Sequence, residues 1–227
     1  MDWDFFVQQL VNGLTLGSVY ALIALGYTMI YGILKLLNFA HGEVYMMGAF
    51  AGFGVLSAFG GALDVTVNVV VLIGLMLGAA MLASGLLGVV IERFAYRPLR
   101  NAPRIAPLIS ALGVSFFLQS SALLLFGADF RSYETYEYID LASGIHWGPL
   151  NISVVRIAVI LTAVALMIAL TLLVSRTRLG KAMRATAFDR EAAAMQGIDV
   201  DRVIVATFFI GSALAGAAGV MVGLVFY

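Results

Sequence analysis

Apolar residues fall in six long runs separated by short polar stretches: roughly Leu14–Leu34, Val44–Ala62, Val65–Ile91, Ile105–Gly127, Ile152–Val174 and Val203–Tyr227. Each is close to the ~20 residues that a helix needs to cross the hydrocarbon of a bilayer. No run alternates apolar and polar positions as a strand would, so helices rather than a β-barrel are expected to satisfy the backbone. The pattern predicts an all-α, polytopic transmembrane helix bundle of about six spans, with residues 1–227 as a single transmembrane domain.

The polar stretches orient the bundle. Glu92–Arg104 carries Arg93, Arg97, Arg100 and Arg104 against one acid, and Ser175–Arg202 carries six basic residues against four acids. Ala128–Leu150 is acidic, with Asp129, Glu134, Glu137 and Asp140 against Arg131 alone. Cytoplasmic loops are enriched in Lys and Arg, which places the first two inside and the third outside. Tyr133, Tyr136, Tyr138 and Trp147 in that outer loop suit the membrane–water interface. Counting back puts the N-terminus outside, provided every run crosses fully; a re-entrant stretch around Lys35–Glu43 would change the count.

Composition agrees. Hydrophobic residues make up 62% of the chain and charged residues 11%, whereas soluble domains carry about 25% charged residues. Mean hydropathy is +1.02. The formal net charge is zero, so no basic field points to nucleic acid. With no cysteine, disulfides, thiol chemistry and Cys-based metal sites are excluded. MDWDFF at the start lacks the basic n-region of a cleavable signal peptide.

Small residues recur every four positions. Gly211, Ala215, Gly219 and Gly223 share one helical face, as do Gly13, Gly17 and Ala21; Gly48 and Gly52, and Gly74 and Gly78, add pairs. Such faces let helix backbones approach closely, either within one bundle or against a second membrane subunit.

Three stretches could carry function. Asn38-Phe39-Ala40-His41-Gly42-Glu43 gathers polar side chains beside a membrane helix, where they are costly unless paired or wet, and Gly42 would permit a sharp turn. It reads as a capped connecting turn or as a broken-helix gate on a translocation path. Ser110 and Gln119 could line that path, as could Thr15, Ser18, Tyr27 and other polar residues in the spans, although each alone suits an interhelical hydrogen bond. His41 and Glu43 make a poor metal pair, because His146 in the outer loop is the one other histidine. In Ser175–Arg202, Asp189 can N-cap a short helix over Arg190–Gln196, with Glu191 in its first turn, Gly197 at its left-handed C′ position and Asp199 capping the next helix. Ala192, Ala193, Ala194 and Met195 then form an apolar cytosolic face, which either covers its own bundle or docks on a partner.

Walker loops, nucleophile elbows, HExxH sequences and paired intramembrane carboxylates are missing, so enzyme chemistry is not expected and no cofactor is called for. No acid lies centrally in any span, and Arg156 alone approaches that position. Proton- or sodium-driven carriers often need such groups, so the energy for transport is expected from elsewhere. A stand-alone carrier or channel is the alternative.

Four stretches resemble the high-affinity branched-chain amino acid ABC permeases of the LivH type: QQLVNGLTLGSVYALIALGYTMIYGILKLLNFAHGE (Gln8–Glu43), IERFAYRPLR (Ile91–Arg100), LISALGVSFFLQ (Leu108–Gln119) and RTRLGKAMRATAFDREAAAMQGIDVDRVIVATFFIGSALAGAAGV (Arg176–Val220). The resemblance implies a subunit of the bacterial inner membrane within a five-component importer. A periplasmic binding protein would deliver a small amino acid, this chain and a LivM-like second permease would form the path, and two cytosolic ATP-binding subunits would drive it. It implies an ATPase-coupling loop over Arg184–Ile198, with Glu191, Ala192, Ala193 and Gly197 at the matching positions. The family also includes urea and amide permeases. Its members continue for several more helices, so a truncated permease is expected here.

Overall fold

The structure, a computed structural model, describes residues 3–59, 69–100, 102–103, 105–129, 131, 133, 144–147 and 150–225. Arg104, Glu134, Tyr136, Glu137, Tyr138, Asp140 and the final Phe226-Tyr227 lie outside the described residues, as do the side chains of His146 and Trp147.

The chain is an all-α polytopic bundle. Its helices are α1 (Trp3–Leu34), α2 (His41–Ser57), α3 (Val69–Ile91), α4 (Ile105–Phe126), α5 (Val154–Arg176), α6 (Arg178–Phe188), α7 (Arg190–Met195) and α8 (Val200–Val225). Among the described residues α1, α3, α4, α5 and α8 are long and apolar enough to cross a membrane. At 17 residues, α2 supplies a shorter sixth segment. α1 begins eleven residues before the apolar run does, because polar side chains satisfy one another along its first turns. Asn12 Nδ2 donates to Gln9 Oε1 at 3.3 Å, and the Arg156 guanidinium, in the first turn of α5, donates to Asn12 Oδ1.

One expectation fails locally. Gly144–Trp147 (β1) and Leu150–Ser153 (β2) form an antiparallel hairpin, with Ile145 opposite Ile152. Alternation over so few residues leaves no mark in a hydropathy pattern. A two-stranded ribbon is sustainable here because, outside the hydrocarbon, its free edges can meet water.

α8 is the axis of the bundle. In its apolar window 78% of residues are buried, against 17% for α4 and for α5. A helix that is apolar and small all round belongs in the interior, and its glycines seat different neighbours. A Cβ on Gly216 would lie 2.5 Å from the Ala80 carbonyl oxygen of α3, and one on Gly219 2.5 Å from that of Tyr45 of α2. Gly211 meets Gly26 of α1, and Gly223 lies against the Tyr133 ring. The stripe Gly211, Ala215, Gly219, Gly223 is therefore an interior feature of this chain rather than an outward face. Gly48 and Gly52 also sit at close approaches to α8, whereas Gly13, Gly17, Gly74 and Gly78 have open space around them.

The stretch after α4 differs from expectation at Tyr133. Rather than resting at the interface, Tyr133 is 4% exposed and its Oη donates to the Ala49 carbonyl at 2.6 Å. Burial pushes its phenol well above the usual range, so it stays a donor. Tyr133→Phe is expected to cost about 1 kcal/mol, the worth of one neutral hydrogen bond with its acceptor stranded. A thermal unfolding midpoint equal to wild type would show that the ring alone anchors the loop.

Candidate functional site

The connection from α1 to α2 turns back into the protein. α1 ends at Leu34, and Lys35 takes a left-handed conformation, φ 58°. Asn38 and Ala40 are buried and α2 starts at His41. His41 does not lie level with the end of α1: its Cε1 is 3.3 Å from where a Gly26 Cβ would be, and its ring meets that of Tyr27 edge-on at 5.6 Å. Gly26 is eight residues before Leu34, about 12 Å along the axis at 1.5 Å per residue. α2 thus begins part-way along α1, and the irregular segment before it alternates: Asn38 and Ala40 turn inward while Lys35, Leu37 and Phe39 stand exposed.

Asn38 organises this re-entrant turn. Its Oδ1 accepts from Ala40 N at 3.1 Å and from Tyr96 Oη at 3.2 Å, and its carbonyl accepts from His41 N at 3.2 Å. Among the described residues, both ring nitrogens of His41, Asn38 Nδ2 and Glu43 Oε2 are buried without a partner. Each such group costs about 1–3 kcal/mol. The four gather at the N-terminal end of α2, where the His41 ring also lies near the Ile23 backbone. Gly42 is not the turn: it lies within the first turn of α2, and the positive φ falls on Lys35. The backbone had only to reverse where α1 stopped, one turn before the polar cluster.

The turn that carries Tyr96 also carries one end of a partly buried ion network. α3 runs into a π-helical turn, Glu92–Tyr96, and a short 3₁₀ turn, Arg97–Leu99. Glu92 is 0% exposed and pairs with Arg100, which also pairs with Asp201 at the start of α8. Arg97 closes the set on Asp201 at 2.7 Å. Arg97 and Arg100 therefore tie α3 to α8 instead of standing free in solvent. Sequence reasoning missed Glu92, Tyr96 and Asp201, although a lone acid ahead of four arginines was the available signal.

α6 and α7 lie at the same end, and their caps form as the residues suggested. Asp189 Oδ1 accepts from Glu191 N at 2.9 Å and Ala192 N at 3.0 Å. Gly197 has φ +80°, and Ile198 N reaches back to the Ala193 carbonyl at 3.1 Å. Asp199 Oδ1 accepts from Arg202 N. Of the apolar face, Ala193 turns inward, whereas Ala192, Ala194 and Met195 stand exposed together with Glu191. Phe188, which the sequence did not single out, is 95% exposed. Two arginines tie the segment to spans: Arg184 donates to the Val174 carbonyl at the end of α5, and Arg190 donates to the Ile33 carbonyl of α1, with Nη2 at 2.5 Å.

Of the path candidates within the spans, Tyr27 meets His41, whereas Ser110 and Gln119 take other partners or positions. Ser110 Oγ donates to the Ala95 carbonyl at 3.1 Å, bracing α4 on the π turn. Gln119 stands exposed on the outer face of α4.

A family described as the branched-chain amino acid transport system permease component matches residues 9–226. The chain is 40% identical over 220 residues to the high-affinity branched-chain amino acid transport system permease protein LivH of Salmonella typhimurium, covering 96% of this chain and 71% of that protein. It is 41% identical, with the same coverage, to BraD of Pseudomonas aeruginosa, a permease protein of the same description. A probable branched-chain amino acid transport permease of Methanocaldococcus jannaschii is 26% identical over 89% of this chain and 61% of its own length. No solved structure matches the chain.

Proposed function

The chain belongs to the branched-chain amino acid transport system permease family, and from that premise we propose that it is the membrane-spanning subunit of an ATP-driven importer for branched-chain or related amino acids. It is a multi-pass protein of the inner membrane and a transport permease rather than an enzyme; ATP is hydrolysed on a separate subunit, and a binding protein supplies the substrate. The finer reading adds a LivM-like second permease and two ATP-binding subunits. Support for a second permease comes from Gln119, exposed beside Phe116 and Leu123 on α4. A primary amide in lipid seeks a partner helix to hydrogen-bond.

One observation carries the coupling assignment. The capped α6–α7 segment leaves Phe188 95% and Met195 80% exposed at the end of the bundle that holds the arginine network, and large apolar side chains at a polar surface want a protein to cover them. On this reading Glu191, Ala192, Gly197 and Ile198 present the docking surface, Ala193 anchors it, and Arg184 and Arg190 carry its displacement to α5 and α1. Movement of α1 reaches the re-entrant turn along the chain, and movement of α8 reaches it through Phe208, whose ring packs on that of Tyr96, and from Tyr96 to Asn38. Asn38, His41 and Glu43, with Gly42 in the first turn of α2, form the gate, opening to alternate sides as the partner ATPases cycle.

The test is ATP-driven leucine uptake by the reconstituted transporter. Gly197→Val puts a β-branched residue at φ +80°, a strain of about 1–3 kcal/mol confined to the end of α7. It and Glu191→Ala are expected to insert normally and to hydrolyse ATP while losing most uptake. Wild-type uptake in both variants would remove the docking assignment.

A further inference from the structure

A pocket of about 280 Å³ lies between the end of α1, the start of α4 and the α6–α7 junction, lined by Lys35, Leu36, Arg100, Thr186, Phe188 and Arg190 among others. Its electrostatics are unbalanced. Arg100 is paired with Glu92 and Asp201, but among the described residues no carboxylate pairs with Lys35 or Arg190. Burial, and secondarily the charge of Arg100, hold the Arg190 guanidinium below its ordinary value, so two guanidinium groups repel across the site. Thr186 is 1% exposed, and its hydroxyl is buried with no hydrogen-bond partner. A short cationic cleft with an unused hydroxyl therefore opens where two spans leave the membrane, with Leu36 and Phe188 as apolar walls.

We propose that this pocket binds a phosphoryl anion, held by Lys35, Arg190 and the Thr186 hydroxyl, and that its occupant is the headgroup of an anionic phospholipid of the cytoplasmic leaflet. Basic pockets between helices at that surface suit such headgroups, because the anion replaces missing counter-charge while the acyl chains stay in the bilayer. Thr186 donates a hydrogen bond that no other described residue accepts. Leu36 meets the first carbons of the lipid.

The test uses the assembled transporter, stripped of lipid in detergent and titrated by native mass spectrometry with phosphatidylglycerol or phosphatidylcholine. Phosphatidylglycerol is expected to bind about tenfold more tightly, the scale of one charge-assisted contact to phosphate. Lys35→Gly should lower that affinity about tenfold without lowering the melting temperature, since glycine accepts the left-handed φ that lysine resists. Thr186→Val, which keeps the shape and removes the hydroxyl, should lower it roughly threefold, again with no loss of melting temperature. Arg190 is not a clean probe because it also caps α1. Displacement of the lipid by millimolar inorganic phosphate, abolished by Lys35→Gly, supports the site and assigns it to a soluble anion. Equal binding of the two lipids, or wild-type affinity in both variants, overturns the proposal. A cross-link from position 35 to a carboxylate of an ATPase subunit overturns it too, because protein would then fill the pocket.

Discussion

Gly219→Leu is expected to destabilise the bundle by at least ~3 kcal/mol, at or above the upper end of ordinary overpacking, because what it meets cannot move aside. The first carbon of the new side chain would fall 2.5 Å from the Tyr45 carbonyl oxygen and 2.9 Å from Ala49 N, both backbone atoms of α2. Relief requires α2 to retreat from α8, which also opens the contacts that Gly48 and Gly52 make one and two turns along. Gly78→Leu is the control: it lies on a membrane helix too, yet nothing stands within 4 Å of its Cβ direction. The melting temperature and assembled yield in detergent should fall sharply for Gly219→Leu and little for Gly78→Leu. Equal behaviour of the two would mean that α2 and α8 do not approach as described.

Glu92→Ala is expected to cost about 3–5 kcal/mol, the range for removing one member of a buried ion pair. Glu92 is 0% exposed and the Arg100 side chain 16%, so solvent cannot take over the stranded guanidinium. Asp201 remains but is half exposed and shared with Arg97. Replacing both partners, Glu92→Met with Arg100→Met, should recover most of the loss, because an apolar pair of similar volume avoids desolvating charge. Thermal unfolding of the two variants decides it. A single substitution no worse than the double one would show that the pair contributes nothing and that Asp201 alone neutralises Arg100.

The local chemistry of this chain was open to reading in one dimension. Apolar runs of twenty-odd residues place membrane helices because hydrocarbon leaves the backbone no other partner than itself. The caps at Asp189, Gly197 and Asp199 are set by contacts within five residues, so they follow from residue type and spacing. The bias of Lys and Arg grouped the two basic loops at one end, where the structure also gathers them. The pairing of Gly144–Trp147 with Leu150–Ser153 escaped because alternation over four residues is too short to register against long apolar runs.

What only the tertiary structure decided is which neighbours those elements meet. No spacing reveals that Gly211, Gly216 and Gly219 face three different helices, since that follows from where α1, α2 and α3 fall around α8. Glu92 reads as a loop charge until α8 brings Asp201 beside Arg100, a residue 101 positions away in the chain. Asn38 and His41 were suspect from their polarity. That they sit part-way along α1 depends on the chain doubling back after Lys35, and on Tyr96, 58 positions further on, holding Asn38 there. Periodicity reports how one segment divides its own surface between apolar and polar. Depth, pairing and burial belong to several segments at once, and close-packing of the whole bundle sets them.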